Sequence, residues 1–161
     1  MLFLLDANVL IRAHGDYYPI DRVPQFWVWL AERGNAKQVK VPFEIYDEIA
    51  NGNDPLKDWI VQTQIRDALI LEEEVDRDVF NLVMDTAYAP DLTDTELVEA
   101  GRDPFLVAYA RMDSNRCVVT KEVSKPSKQR GRRRIPDACN LLGIPWMTDF
   151  NFYGALDFRI T

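Results

Sequence analysis

The feature that most restricts the fold is the opening run Leu2-Phe3-Leu4-Leu5, four apolar residues cut off by Asp6. An unbroken apolar run this short reads as a strand buried on both faces, the kind found in parallel sheets. Parallel strands cannot be joined by tight hairpins, so helices must lie between them. The rest of the chain supplies both. Val39-Lys40-Val41-Pro42, Leu69-Ile70-Leu71, Cys117-Val118-Val119-Thr120 and Ile144-Pro145-Trp146-Met147 read as further short strands, the last on an edge because of its proline. Val9 to Ala13 begins a turn or helix. Helices are predicted from Pro24 to Arg33 (stopped by Gly34), Phe43 to Ala50, Asp54 to Ala68, Val75 to Tyr88, Thr93 to Ala100, Asp103 to about Arg111, and Ile135 to Leu142. Residues 124–134 are expected as a polar loop and Asn151 onward as a tail. This alternation implies one α/β domain over all 161 residues, with a mostly parallel sheet.

Composition removes several chemistries. His14 is the only histidine, so a zinc site or a Ser-His-Asp triad would rest on it alone. Cys117 and Cys139 form no C-x-x-C pair and read as two small buried residues. No apolar run approaches the ~18 residues of a membrane span. No basic stretch precedes the first apolar run, as it would in a secretory signal. A soluble, cytoplasmic protein with no membrane contact is the expectation. The helical spacing of Phe26-Trp27-Val28-Trp29-Leu30 favours core packing or a partner groove over base stacking, and the same holds for Trp59.

The acidic residues carry the functional signal. Ligands in open α/β sheets gather at the carboxyl ends of strands. Asp6 follows the first strand directly, and Glu122 stands just beyond the strand that ends at Thr120. Asp103 opens the helix before that strand, and Glu48 lies in the helix after the second strand. Each has an ordinary alternative. Asp103 before Pro104 suits a helix cap. Glu44 and Glu48, four apart on one helix face, suit a solvated surface, and Glu122 among basic residues suits an ion pair. Asp6 is the hardest to explain that way. Brought together, the four would repel one another, and a divalent cation relieves that repulsion. Magnesium and manganese prefer such oxygen ligands and activate water for in-line attack on a phosphodiester.

Four segments together resemble the motifs of the PIN-domain family. Leu4-Leu5-Asp6-Ala7-Asn8-Val9-Leu10-Ile11 resembles its opening strand and first acid. Val41-Pro42-Phe43-Glu44-Ile45-Tyr46-Asp47-Glu48-Ile49 resembles the segment with its second acid. Asp103-Pro104-Phe105-Leu106-Val107-Ala108-Tyr109-Ala110 resembles the third motif, and Val118-Val119-Thr120-Lys121-Glu122 the fourth. The nearest likeness is to the toxins of bacterial toxin–antitoxin pairs and a related branch that also carries a segment like Ile135-Pro136-Asp137-Ala138-Cys139. The resemblance implies a three-layer α/β/α fold and endonucleolytic cleavage of RNA with Mg²⁺ or Mn²⁺. It also implies a cognate antitoxin and frequent homodimers. Its catalytic, metal-holding set is Asp6, Glu48, Asp103 and Glu122, with Asn8, Glu44, Thr120 and Asp137 around it. Glu122 stands where the family more often has aspartate, one methylene shorter. Glu48 falls at the family's spacing from Pro42, with Glu44 one turn away as the alternative, and Asp137 is either a further ligand candidate or a helix cap.

Charge adds a second signal. The chain carries −7, which taken alone argues against a nucleic-acid binder. Residues 121–134, however, hold Lys121, Lys125, Lys128, Arg130, Arg132, Arg133 and Arg134 against Glu122 alone. That local +6 leaves −13 for the remainder. A basic segment beside an acidic metal site suits the holding of an RNA backbone. A solvated loop and an antitoxin contact are the alternatives, and Ser124, Ser127 and Gly131 suggest mobility. Three other functions compete with the nuclease. A non-catalytic PIN-like module would hold RNA or protein without cutting. A phosphotransferase with Asp6 as nucleophile would want a second Asp at position 8, which is Asn8. A dinucleotide enzyme would want a G-x-G-x-x-G after the first strand, and none is there.

Overall fold

The computed structural model describes all 161 residues. Four parallel strands lie in the order β2-β1-β3-β4, with ten α-helices covering both faces as a three-layer α/β/α arrangement. In chain order these are β1 (Leu2–Leu5), α1 (Ala7–Arg12), α2 (Pro24–Asn35), β2 (Val39–Lys40), α3 (Phe43–Ala50), α4 (Pro55–Ile60), α5 (Thr63–Leu69), α6 (Arg77–Val83), α7 (Asp94–Ala100), α8 (Asp103–Arg111), β3 (Arg116–Val119), α9 (Ile135–Leu142), β4 (Trp146–Met147) and α10 (Asp149–Ala155). Single π-helical turns extend α1 (Ala13–Tyr17) and α6 (Met84–Tyr88).

The central pair is β1 against β3, registered Leu2 to Arg116 through Leu5 to Val119. Leu4, Leu5, Val118 and Val119 are fully buried, as strands covered on both faces require. The ladder continues one step past the strands: the Asp6 amide donates to the Val119 carbonyl, and the Thr120 amide to that of Met147. Asp6 and Thr120 are thereby set side by side at the carboxyl edge of the sheet.

Local chemistry explains most helix starts. Asp54 accepts from the Lys57 amide ahead of Pro55, and Asp76 accepts from the amides of Asp78 and Val79. Thr93 and Glu96 form a reciprocal capping box on α7. Thr148 caps α10, whose Asp149 is completely buried and takes two hydrogen bonds from Arg12 at 2.7 and 2.8 Å. The aromatic residues near the amino end of α2 pack inward: Phe26 and Trp27 are buried, and Trp27 meets Trp59 edge-on. Cys117 and Cys139 are both free and buried. No helix is long and apolar enough to cross a membrane.

Several boundaries differ from the sequence reading. Leu69–Leu71 is not a strand; only a single parallel bridge joins Ile70 to Val41. The segment 54–68 breaks at Val61-Gln62 into α4 and α5, where apolar periodicity alone shows no interruption. The segment 75–88 is α6 plus a π-turn, because Asp76 caps it from within. Asn151 onward is no tail, since α10 buries Phe152 and Tyr153 against the core. Gly34 does not stop α2. A Cβ there would lie 2.5 Å from the Ala68 carbonyl oxygen, so glycine is what lets α5 approach.

Candidate metal centre

Asp6 sits at the junction of β1 and α1, in extended backbone and without capping α1 through its side chain. Its carboxylate is buried, and its Oδ2 accepts from the Thr120 hydroxyl at 2.9 Å. Thr120 is completely buried and acts as a hub. Its oxygen also accepts from the Glu122 amide at 3.1 Å and, more weakly, from Asn8 Nδ2 at 3.4 Å. Asn8 Oδ1 accepts in turn from the Lys121 amide at 3.1 Å. Asn8 and Thr120 thus fix the turn after β3 relative to Asp6.

Asp103 does not cap α8. Arg102 occupies the cap position, and Asp103 and Pro104 form the first turn. The helix end is fixed instead by Arg102, whose Nη1 donates to the Glu44 carbonyl and to Asp47 Oδ2, both at 2.8 Å. That clamp joins α3, which carries Glu48, to α8, which begins at Asp103. Glu44 is turned elsewhere: its Oε1 accepts from the Tyr109 hydroxyl at 3.2 Å.

The charges show which acids face one another. Burial, followed by the fields of Glu122 and Glu48, raises the Asp6 carboxyl to about 7 against the lowering hydrogen bond from Thr120. Burial, followed by the fields of Asp6, Glu122 and Glu48, raises Asp103 to about 8. The charges of Glu122 and Glu48 act on both carboxyls, that of Asp6 acts on Asp103, and Glu44 is absent from both. No three acidic, histidine or cysteine side chains converge tightly enough to form a finished ligand cage. The four carboxylates do not share one point.

Glu122 and Asp137 have structural duties. Glu122 Oε2 accepts from the Ile135 amide at 2.8 Å, covering an otherwise unpaired donor in the first turn of α9. Asp137 is buried. One of its oxygens takes the Ser124 hydroxyl and the other the Lys125 amide, so it anchors the loop that follows β3. The loop is fastened further on as well. Gly131 lies so close to α7 that a Cβ would fall 2.4 Å from the Glu96 carbonyl oxygen, a reason for glycine quite different from the mobility read from sequence.

The seven basic residues divide by partner. Arg130 binds Glu96 and Asp91, and Arg132 binds Glu99, which neutralises both. Arg133 uses Nε on the Ala87 carbonyl at 3.0 Å. Lys128, Arg132, Arg133 and Arg134 line a cavity of about 350 Å³ whose other walls include Asp103 and Glu122. Lys121 and Lys125 are exposed outside that lining.

Two residues of the site carry no sequence signal. Arg102 precedes the acid it positions but belongs to no motif. Tyr88 stands at the end of the π-turn, buried, with a hydroxyl that meets no hydrogen-bond partner. The charges acting on it are those of Asp103, Cys139, Glu122 and Asp6.

The donor set suits the chemistry of a hard divalent cation: oxygens only, with Asp6 buried, Asp103 and Glu122 half-buried and Glu48 exposed, and a cation would offset the repulsion among their charges. Fold and site together define an α/β/α domain with Asp6 at the carboxyl edge of a parallel sheet and a cavity that Asp103 and Glu122 share with Arg132, Arg133 and Arg134. Residues 3–160 match the family described as a domain of unknown function (DUF4411), and the chain belongs to it. No curated protein and no solved structure matches the chain.

Proposed function

We propose that this protein is a PIN-like endoribonuclease that hydrolyses RNA phosphodiester bonds with Mg²⁺ or Mn²⁺, and that it is the toxin of a bacterial toxin–antitoxin pair. The observation that carries this is that Glu48 and Glu122, from two other segments of the chain, both act on Asp6 at the carboxyl edge of the sheet and on Asp103. Asp6, Glu48 and Asp103 would hold the cation, with Glu122 completing the set from its place beside α9. The cation would supply an activated water and neutralise charge on the phosphoryl oxygens. Thr120 holds the Asp6 carboxylate in one orientation. Lys128, Arg133 and Arg134 face the same cavity and would hold the phosphates flanking the cleaved bond. A cognate antitoxin, a homodimer and a cytoplasmic location belong to the same proposal and rest on the resemblance of the four motifs.

The test is cleavage of RNA by purified protein with Mg²⁺ or Mn²⁺. EDTA and Asp6→Asn should each abolish it, and undiminished cleavage by Asp6→Asn would reject the assignment. A second reading is a PIN-like module that binds RNA or protein without cutting. It is favoured by the open spacing of the carboxylates and by the use of Glu122 Oε2 on α9. Calorimetric titration with Mn²⁺ separates the two, since a binding module needs no stoichiometric metal site.

A further inference from the structure

Tyr88 is anomalous within its surroundings. Only 5 % of it is exposed, and its hydroxyl is buried with no partner in the protein. Buried tyrosine hydroxyls normally find an acceptor, and phenylalanine would fill the same space without leaving one unpaired. The charges that act on the hydroxyl are those of Asp103 first, then Cys139, Glu122 and Asp6, so three of the four belong to candidate ligands. The backbone that carries it is held in place, because Arg133 donates to the Ala87 carbonyl and lines the same cavity as Asp103 and Glu122. Tyr88 also ends a π-helical turn, a distortion found frequently at functional sites.

A carboxylate that gives one oxygen to a cation needs a donor on the other to fix its orientation. Asp6 has the Thr120 hydroxyl, and Glu122 has the Ile135 amide. Among the charges that act on the unpartnered Tyr88 hydroxyl, that of Asp103 is the largest. We propose that Tyr88 is a positioning residue of this centre, its hydroxyl donating to the Asp103 carboxylate when the acids close around a divalent cation. The inference rests on the metal reading given above.

Tyr88→Phe tests it against wild type by calorimetric titration with MnCl₂ and by thermal unfolding in EDTA and in Mn²⁺. Without its cation the hydroxyl has no partner to lose, so the variant should melt in EDTA at or above the wild-type temperature. Its affinity for Mn²⁺ should fall about 10-fold or more, the usual effect of removing a ligand's outer partner. The stabilisation by Mn²⁺ should shrink accordingly. RNA cleavage at saturating Mn²⁺ should show a lower kcat with KM unchanged. Equal Mn²⁺ affinity in the two proteins would overturn the role of Tyr88 and leave the metal centre standing. A variant that melts clearly below wild type in EDTA would also overturn it, because the hydroxyl would then have a structural partner. A wild-type protein that binds no Mn²⁺ would overturn the metal reading, and the role of Tyr88 with it.

Discussion

The Thr120 hydroxyl donates to Asp6 Oδ2 at 2.9 Å across 114 positions of sequence. The sheet register produces this contact: β1 and β3 pair residue for residue up to Leu5 and Val119, and the next residue after each strand is Asp6 or Thr120. A hydroxyl at 120 can therefore orient a carboxylate at 6 with no intervening loop.

Thr120→Val keeps the shape and removes the donor. Asp6 would lose its side-chain partner while remaining buried, a loss of about 1–3 kcal/mol. For a domain of this size that lowers the melting temperature by roughly 2–4 °C per kcal/mol. Mn²⁺ affinity should fall about 10–100-fold. Thr120→Ser should retain both. Thermal unfolding and calorimetry on the pair decide the matter, and a Val variant equal to wild type in metal affinity would show that the bond orients nothing.

The raised Asp6 and Asp103 carboxyls fix a pH dependence. Their folded-state values, about 7 and about 8, lie above the ordinary 3.8. Between those limits the folded protein binds more protons than the unfolded chain, so stability falls as pH rises. In EDTA the urea midpoint should decline steadily from about pH 4 to about pH 8. Asp103→Asn, which cannot ionise, should flatten the upper part of that decline. Saturating Mn²⁺ should reverse the trend near pH 7, with protons released on binding. A midpoint that rises across this range in EDTA would mean that the carboxyls are not buried against one another.

Much of this architecture was legible in short apolar runs. Leu2–Leu5 and Cys117–Val119 lie in the central strands, and the charge of Glu122 beyond one acts on Asp6 beyond the other. Less legible were features set by contacts distant in sequence. Val61-Gln62 breaks a helix whose apolar pattern runs on, and α10 forms because Phe152 finds Phe3 and Trp29. Glycine at 34 and 131 reads locally as a stop or a hinge, yet each marks a close approach by a partner far along the chain. Tyr88 could not be found at all from spacing, because what distinguishes it is a missing partner.

Glu44 and Glu48 lie one turn apart on α3, and the structure separates their surroundings. Glu44 Oε1 is taken by the Tyr109 hydroxyl, whereas the field of Glu48 acts on both Asp6 and Asp103. Glu48→Gln should weaken Mn²⁺ binding at least about 10-fold with little change in melting temperature, because the residue is exposed. Glu44→Gln should leave Mn²⁺ affinity within about 2-fold of wild type. The reverse pattern in paired titrations would make Glu44 the second ligand.

The basic residues after β3 should separate into binders and fasteners. Arg130 is held by Glu96 and Asp91, so its charge is already matched within the protein. Lys128, Arg133 and Arg134 face the cavity that Asp103 and Glu122 share. In an Asp6→Asn background, which prevents cleavage, RNA affinity can be measured across salt concentration. Each phosphate contact to a single strand contributes about 0.7 to the slope of log K against log salt. Replacing Lys128, Arg133 and Arg134 together with alanine should reduce that slope by about 2, whereas Arg130→Ala should leave it unchanged and disturb the loop instead. Lys121→Ala and Lys125→Ala, exposed outside the cavity, should fall between the two. An Arg130→Ala variant that loses as much slope as the triple one would place the RNA backbone along α7 rather than over the acids, and cleavage would then need a different alignment of the strand.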